Sequence, residues 1–265
     1  MSSTLFLSVV GDDGSVKASS SDHGQVNLLY TNSYEPGDAI VLKSSAENLY
    51  LVIQLEDSMS TEFVYFSGSE FRFVIPFGEK RSSYSPKSFT GDKHLLTARQ
   101  ALSEEILEYR NLARNGYDQH CNSTLFPHAS ANVETRGEAQ FAARNAINGN
   151  ITNYSHGSWP FESWGIDQRE DAELTVHFGR MVEIDKVSIV LRGDFPHDNY
   201  WTSAKLTCSD GSEQIVQLFK TLDKQTVRFD AKKVTWVKLS ELIKSDEPSL
   251  YPALTQIEVY GRECS

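Results

Sequence analysis

The feature that most constrains this fold is its cadence. Short runs rich in Val, Ile, Leu, Tyr and Phe recur at residues 25–30, 39–43, 49–55, 62–66 and 70–75, and turn clusters such as Asp12-Asp13-Gly14-Ser15 and Glu35-Pro36-Gly37-Asp38 punctuate the region. Turn residues of this kind bend the backbone into tight reversals. Strands repeating every roughly 8–12 residues are what an antiparallel sandwich requires. No helical periodicity competes with this pattern over residues 1–98. The run at 5–10 is short, carries Ser8 and lacks a basic segment before it, so it reads as a first strand and not as a secretory leader.

The cadence returns in the second half, with candidate strands at 172–178, 182–191, 204–208, 213–219, 225–230, 234–239 and 255–260. Residues 171–178 alternate polar and apolar side chains, so one face is wet and His177 points to the surface. Ser209-Asp210-Gly211-Ser212 reads as a hairpin turn. Between the halves, residues 103–114 read as a helix. Ser103 caps it, Glu104 and Glu105 complement the dipole at its start, and Asn115-Gly116 stops it. The expectation is an all-β chain of two β-sandwich, jelly-roll-like domains, 1–98 and 120–265, joined by a short helical linker at 99–119.

Composition narrows the partners. A net charge of −11 over 265 residues leaves no excess of cations to neutralise phosphates, which argues against nucleic acid and against an anionic membrane surface. No run is long and apolar enough for membrane insertion. Cys121, Cys208 and Cys264 form an odd set without zinc-ligand spacing, which fits a reducing compartment. Cytoplasmic location is therefore the expectation, with an extracellular one open if a leader has been removed.

Two loops carry the chemistry. Residues 154–169 hold His156, Trp159, Trp164 and Arg169, and residues 192–201 hold Arg192, Asp194, His197, Asp198, Asn199 and Trp201. Aromatic faces cover the C–H patches of a pyranose, and planar polar groups fix its hydroxyls. The two loops flank neighbouring candidate strands, so their tips are expected to meet at one rim. There Trp159 and Trp201 would be the stacking platforms, and His156, Arg169, Arg192, Asp194, His197 and Asp198 the polar partners. Trp164, which precedes a strand, is expected in the core.

Four stretches resemble the galactose-binding-like superfamily, which includes discoidin or coagulation-factor C-type domains and many carbohydrate-binding modules. They are residues 143–150 (ARNAINGN), 172–179 ending in Phe178-Gly179, 182–187, and 254–261 closing in Ile257-Glu258-Val259-Tyr260-Gly261. The likeness spans about 120–262 and implies a jelly roll with a carbohydrate as partner. It also implies a structural calcium held by an Asp in the first turn and a Glu near the closing strand. Here Asn148 and Gln256 stand in those places, and neutral replacements weaken a calcium site. Carbonyl oxygens near Asn148, Asn150 and Thr152 remain the candidate calcium ligands, against a turn held by amide hydrogen bonds alone.

Residues 76–94 form a second, basic-aromatic cluster with Lys80, Arg81, Tyr84, Lys87, Phe89, Lys93 and His94, a candidate for a carboxylated or sulfated ligand against a solvated connector. No nucleophile elbow, zincin helix, phosphate loop or dinucleotide fingerprint is present in the sequence. The expected function is non-catalytic recognition of a mono- or oligosaccharide at the C-terminal loops. The alternatives are a lyase, esterase or hydrolase using the same His and Asp residues, and a protein-interaction module.

Overall fold

The computed structural model describes residues 3–195 and 197–264; Pro196, in the second loop, lies outside them. The chain is built of β-strands. In the first half these are β1 (Thr4–Val10), β2 (Val16–His23), β3 (Gln25–Tyr30), β4 (Ala39–Ser44), β5 (Leu49–Gln54), β6 (Glu62–Phe66), β7 (Glu70–Val74) and β8 (His94–Gln100). They pair into two antiparallel sheets, β2-β1-β4-β7 and β10-β6-β5-β8-β3, where β10 is Leu125–Phe126. The inward residues alternate along each strand. Leu5, Leu7 and Val9 of β1 meet Leu51 and Ile53 of β5 in one fully buried core. Strand β2 was not legible in the sequence because its KASSSDH composition is polar. It is an edge strand, and pairing with β1 supplies what hydrophobicity does not.

The second half adds β11 (His128–Ala131), β12 (Trp164–Gly165), β13 (Leu174–Leu191), β14 (Trp201–Cys208), β15 (Glu213–Gln217), β16 (Gln225–Lys244) and β17 (Ala253–Glu263). One hydrogen-bonded path, β12-β17-β13-β16-β14-β15, wraps its own core. The long strands β13 and β16 break register between His177 and Val182, opposite Trp236 and Val234, and such bulges are where strands switch layers. Ala172, Leu174, Val176 and Phe178 are all fully buried, as the alternation requires. His177 is half-buried on the other face, stacked on His128.

The linker differs from expectation. Helix α1 is only Ser103–Leu107, and Leu102, not Ser103, is its cap. The Glu105 carboxylate accepts from the Leu102 backbone N–H at 2.7 Å and from Arg99 at 2.6 and 2.7 Å. The helix ends early because the chain finds better partners in the sheet: β9 (Arg110–Asn111) pairs with Tyr260 and Gly261 of β17. Asn111 Oδ1 accepts from Val259 N at 2.9 Å. Arg110 donates to the carbonyl of Glu105 at 2.9 Å and to Glu263 at 2.6 Å. Beyond it Leu112 and Ala113 join the second core, whereas Tyr117 and Leu125 join the first.

The two sandwiches therefore share chain and contacts. Glu263 of β17 accepts from Tyr50 of β5 at 3.0 Å and from Arg180 Nε at 3.0 Å. Glu62 of β6, almost wholly buried, accepts from Arg114 Nε at 3.0 Å. Among the described residues no helix is long and apolar enough to cross a membrane.

Burial pushes the Glu62 carboxyl up to about 7, against the pull of Arg114. The native protein then holds a proton that the unfolded chain releases above its ordinary value of 4.5, so stability falls as pH rises through that window. Glu62→Gln is expected to flatten this decline, which amounts to at most about 3 kcal/mol. Melting curves at intervals from pH 4.5 to 8 check this; a wild-type slope kept by the variant counts against it.

Candidate functional site

Five of the sequence-predicted residues meet at one rim. His156 comes from the loop before β12, and Arg192, Asp194, His197 and Asp198 come from the loop between β13 and β14. Together they line a cleft of about 660 Å³. Phe141, Ile166, Tyr251 and Pro252 add an apolar side to the lining. The sequence reading missed this apolar side, because Phe141 sits in a short 3₁₀ turn and Tyr251 in the approach to the closing strand. Neither position carries a local signal.

The second loop is anchored from below. Arg192, 5% exposed, donates through Nε to Asp198 Oδ2 at 2.7 Å and through Nη2 to both Asp198 Oδ1 and the Tyr251 carbonyl, the latter at 2.7 Å. Asn199 then holds the 245–249 segment, donating to the carbonyls of Glu247 and Ser249 at 2.9 and 2.8 Å. A Cβ at Gly193 would lie 2.2 Å from Leu222 Cδ2, so a larger residue there has to displace that exposed side chain. Arg192 and Asp198 are thus mainly framework, although Arg192 Nη1 bonds to no described residue.

The groups free to meet a ligand sit above that framework. His156 Nδ1 donates to Asp194 Oδ2 at 2.5 Å, and His197 Nδ1 lies 3.6 Å from Asp194 Oδ1. Partial burial pushes the Asp194 carboxyl up, but the hydrogen bond from His156 and the closeness of the His197 imidazole outweigh it and leave Asp194 below the usual carboxylate range. Burial raises Asp198 against the opposing pull of Arg192. His156 and His197 remain about half and three-quarters exposed, with Nε2 edges turned from the carboxylate. One carboxylate between two imidazoles, beside an exposed tyrosine ring, presents acceptors, donors and a flat apolar face within one cleft.

Three expected members are elsewhere. Trp201 is fully buried: as the first residue of β14 it points inward, its ring tilted against Trp164 at 6.3 Å. An indole inside the core cannot stack on a ligand. Arg169 turns away to Asp171, with bonds of 2.8 and 2.5 Å, and does not line the cleft. Trp159 lines a different cleft, where its backbone N–H donates to Ser82 of the first sandwich at 2.7 Å. Trp164 is buried, as expected, and donates to Val133 O at 2.9 Å.

The calcium ligands do not fit the ion. Asn148 Oδ1 accepts from Asn150 N and from Gln256 Nε2, both at 2.8 Å, and Asn150 Oδ1 accepts from Thr152 N at 3.0 Å. Gln256 Nε2 also donates to the carbonyls of Asn145 and Thr255 at 2.5 and 2.8 Å. An amide N–H₂ at the centre of three oxygens does the work a cation would do, so the turn at Asn148, Asn150 and Thr152 is closed by hydrogen bonds. The basic-aromatic cluster also disperses. Tyr84 and Phe89 pack on Phe73, His94 is buried, and Arg81 is spent on the carbonyls of Pro86 and Ser88.

No family model and no curated protein matches the chain. Solved structures that it is similar to include the chitosan-binding module 1 of a chitosanase/glucanase from Paenibacillus sp. IK-5, at 19% identity and a TM-score of 0.38, covering 57% of this chain and 98% of that one. Another is the family 32 carbohydrate-binding module of NanJ from C. perfringens in complex with galactose, at 20% identity and a TM-score of 0.38, covering 50% and 91%. A third is the lectin domain of lectinolysin complexed with Lewis B antigen, at 20% identity and a TM-score of 0.42, covering 58% and 97%.

Two substitutions check these placements. Gln256→Glu sets a carboxylate against three carbonyl-type oxygens, and is expected to destabilise the protein by about 1–3 kcal/mol. Millimolar calcium should restore part of that loss, since the ion takes oxygen ligands. The wild-type melting temperature should be the same in calcium and in chelator. Trp201→Ala is expected to lower stability by about 3–5 kcal/mol through the cavity it leaves. A chemical melt of Trp201→Ala matching wild type would contradict burial of this indole.

Proposed function

We propose that this chain is a carbohydrate-binding protein whose ligand seat is the cleft between the His156 loop and the Asp194–Asp198 loop. The observation that carries the reading is the convergence of His156, Asp194 and His197 on one cleft with Tyr251. Charged and hydrogen-bonding groups share that cleft with an aromatic residue that is 48% exposed. A pyranose has the complementary division, with an apolar C–H face and a rim of hydroxyls. Pockets of this kind combine an apolar wall with a few convergent polar groups.

In the proposed pose, Tyr251 covers the C–H face. Asp194 accepts from one or two hydroxyls, and the His156 and His197 edges and Arg192 Nη1 supply the remaining bonds. Pre-organisation supports this assignment, because the Arg192–Asp198 pair and Asn199 hold the loop before any ligand arrives. The cleft is large enough for more than one ring, which favours an oligosaccharide over a free monosaccharide.

A glycan array followed by calorimetry tests the reading. Affinity is expected in the millimolar to micromolar range, about −4 to −8 kcal/mol. His156→Ala, Asp194→Asn and Tyr251→Ala should each weaken binding about tenfold or more with melting temperatures near wild type. A blank array, or binding that survives all three changes, rejects the assignment.

A further inference from the structure

A second cleft, of about 270 Å³, lies between the two sandwiches and shares no lining residue with the first among the described residues. Ser58, Ser60 and Glu62 line it from the N-terminal sandwich, and Arg114, Trp159 and Glu162 from the other side. Glu162 is 3% exposed. Its Oε1 accepts from Asn148 Nδ2 at 2.8 Å and Asn150 Nδ2 at 3.1 Å, whereas its Oε2 is buried with no partner among the described residues. A carboxylate has acceptor sites to spare, and a buried oxygen with none of them filled is uncommon.

The donors opposite are also incompletely used. Arg114 reaches Glu62 through Nε alone, at 3.0 and 3.2 Å, and its Nη1 and Nη2 bond to no described residue. At the mouth stands Trp159, 42% exposed, with its backbone held by Ser82 O. Glu62, Glu162, Arg114 and Arg144 all line the cleft. A hydroxyl both donates and accepts, so a hydroxyl-bearing occupant can meet the unpartnered acceptor and the unused donors together.

We propose that this inter-sandwich cleft is a second binding site, taking one hydroxyl-bearing ring of monosaccharide size stacked on Trp159. Its hydroxyls donate to Glu162 Oε2 and accept from the free nitrogens of Arg114. The volume limits it to about a single ring, in contrast to the longer ligand assigned to the first cleft. The proposal is independent of that assignment, because the two sites share no residue.

The test titrates the full-length chain with glucose, galactose, mannose, fucose and N-acetylglucosamine, followed by tryptophan fluorescence and calorimetry. Of the four tryptophans, Trp159 lines this cleft and Trp164, Trp201 and Trp236 do not, so ligand there should register mainly through Trp159. At least one sugar should give a saturable change in emission. Glu162→Gln, which keeps an oxygen for Asn148 and Asn150, and Trp159→Leu should each weaken that binding about tenfold or more. His156→Ala should leave it within about twofold of wild type. The proposal is overturned if no sugar of the panel binds, if both cleft variants bind as wild type does, or if His156→Ala alone removes the response.

Discussion

A buried ion pair governs the C-terminal rim. Arg192 and Asp198 are almost wholly enclosed, and the guanidinium that meets Asp198 also takes the Tyr251 carbonyl. Taking both charges out of water is unfavourable, and a pair so enclosed adds little to stability over an apolar replacement. Its effect is geometric. One planar fork ties the start of the β13–β14 loop to its end and to the segment before β17. With those points fixed, Asp194 can stand only at the mouth, where His156 reaches it. The exposed chemistry of the rim is a consequence of the buried pair beneath it.

The same substitution of fixed hydrogen bonds for a mobile partner recurs at the first turn of this sandwich. Gln256 comes from β17 and Asn148 from the turn after the 3₁₀ segment, more than a hundred positions apart. An amide offers two N–H donors in a plane, and here it meets the oxygens of Asn145, Asn148 and Thr255. That closes the turn without a charged ligand. It leaves Asn148 and Asn150 free to donate to Glu162, so the amide network also shapes the floor of the cleft between the sandwiches. The structural turn and the second cleft are therefore coupled through two asparagine side chains.

Much of the architecture was legible locally. Turn clusters and alternating runs place most of the strands, because period-two burial is written into consecutive residues, as along residues 172–178. The failures have specific causes. Strand β2 carries no apolar pattern because an edge strand does not need one. The helix at 103–114 looks sound by capping and dipole, but Arg110 and Asn111 gain sheet hydrogen bonds from β17 that no local signal reports. Trp201 ends a polar loop, which suggests a platform; it is the first residue of a strand, and one step of register turns it inward.

An all-β chain and the chemical content of two loops are written in consecutive residues, since strand periodicity and side-chain type are local properties. The sequence also holds the neutral residues Asn148 and Gln256 that set the first turn apart from a calcium site. Which of those loop residues meet depends on the folded chain. His156 and Asp194 are thirty-eight positions apart, and Tyr251 is fifty-seven beyond Asp194. Likewise Trp159 and Glu162 face Glu62 across two sandwiches. The reason is physical: convergence at a rim depends on strand register, bulges and buried ion pairs between distant segments, and none of these leaves a mark on any short stretch of chain.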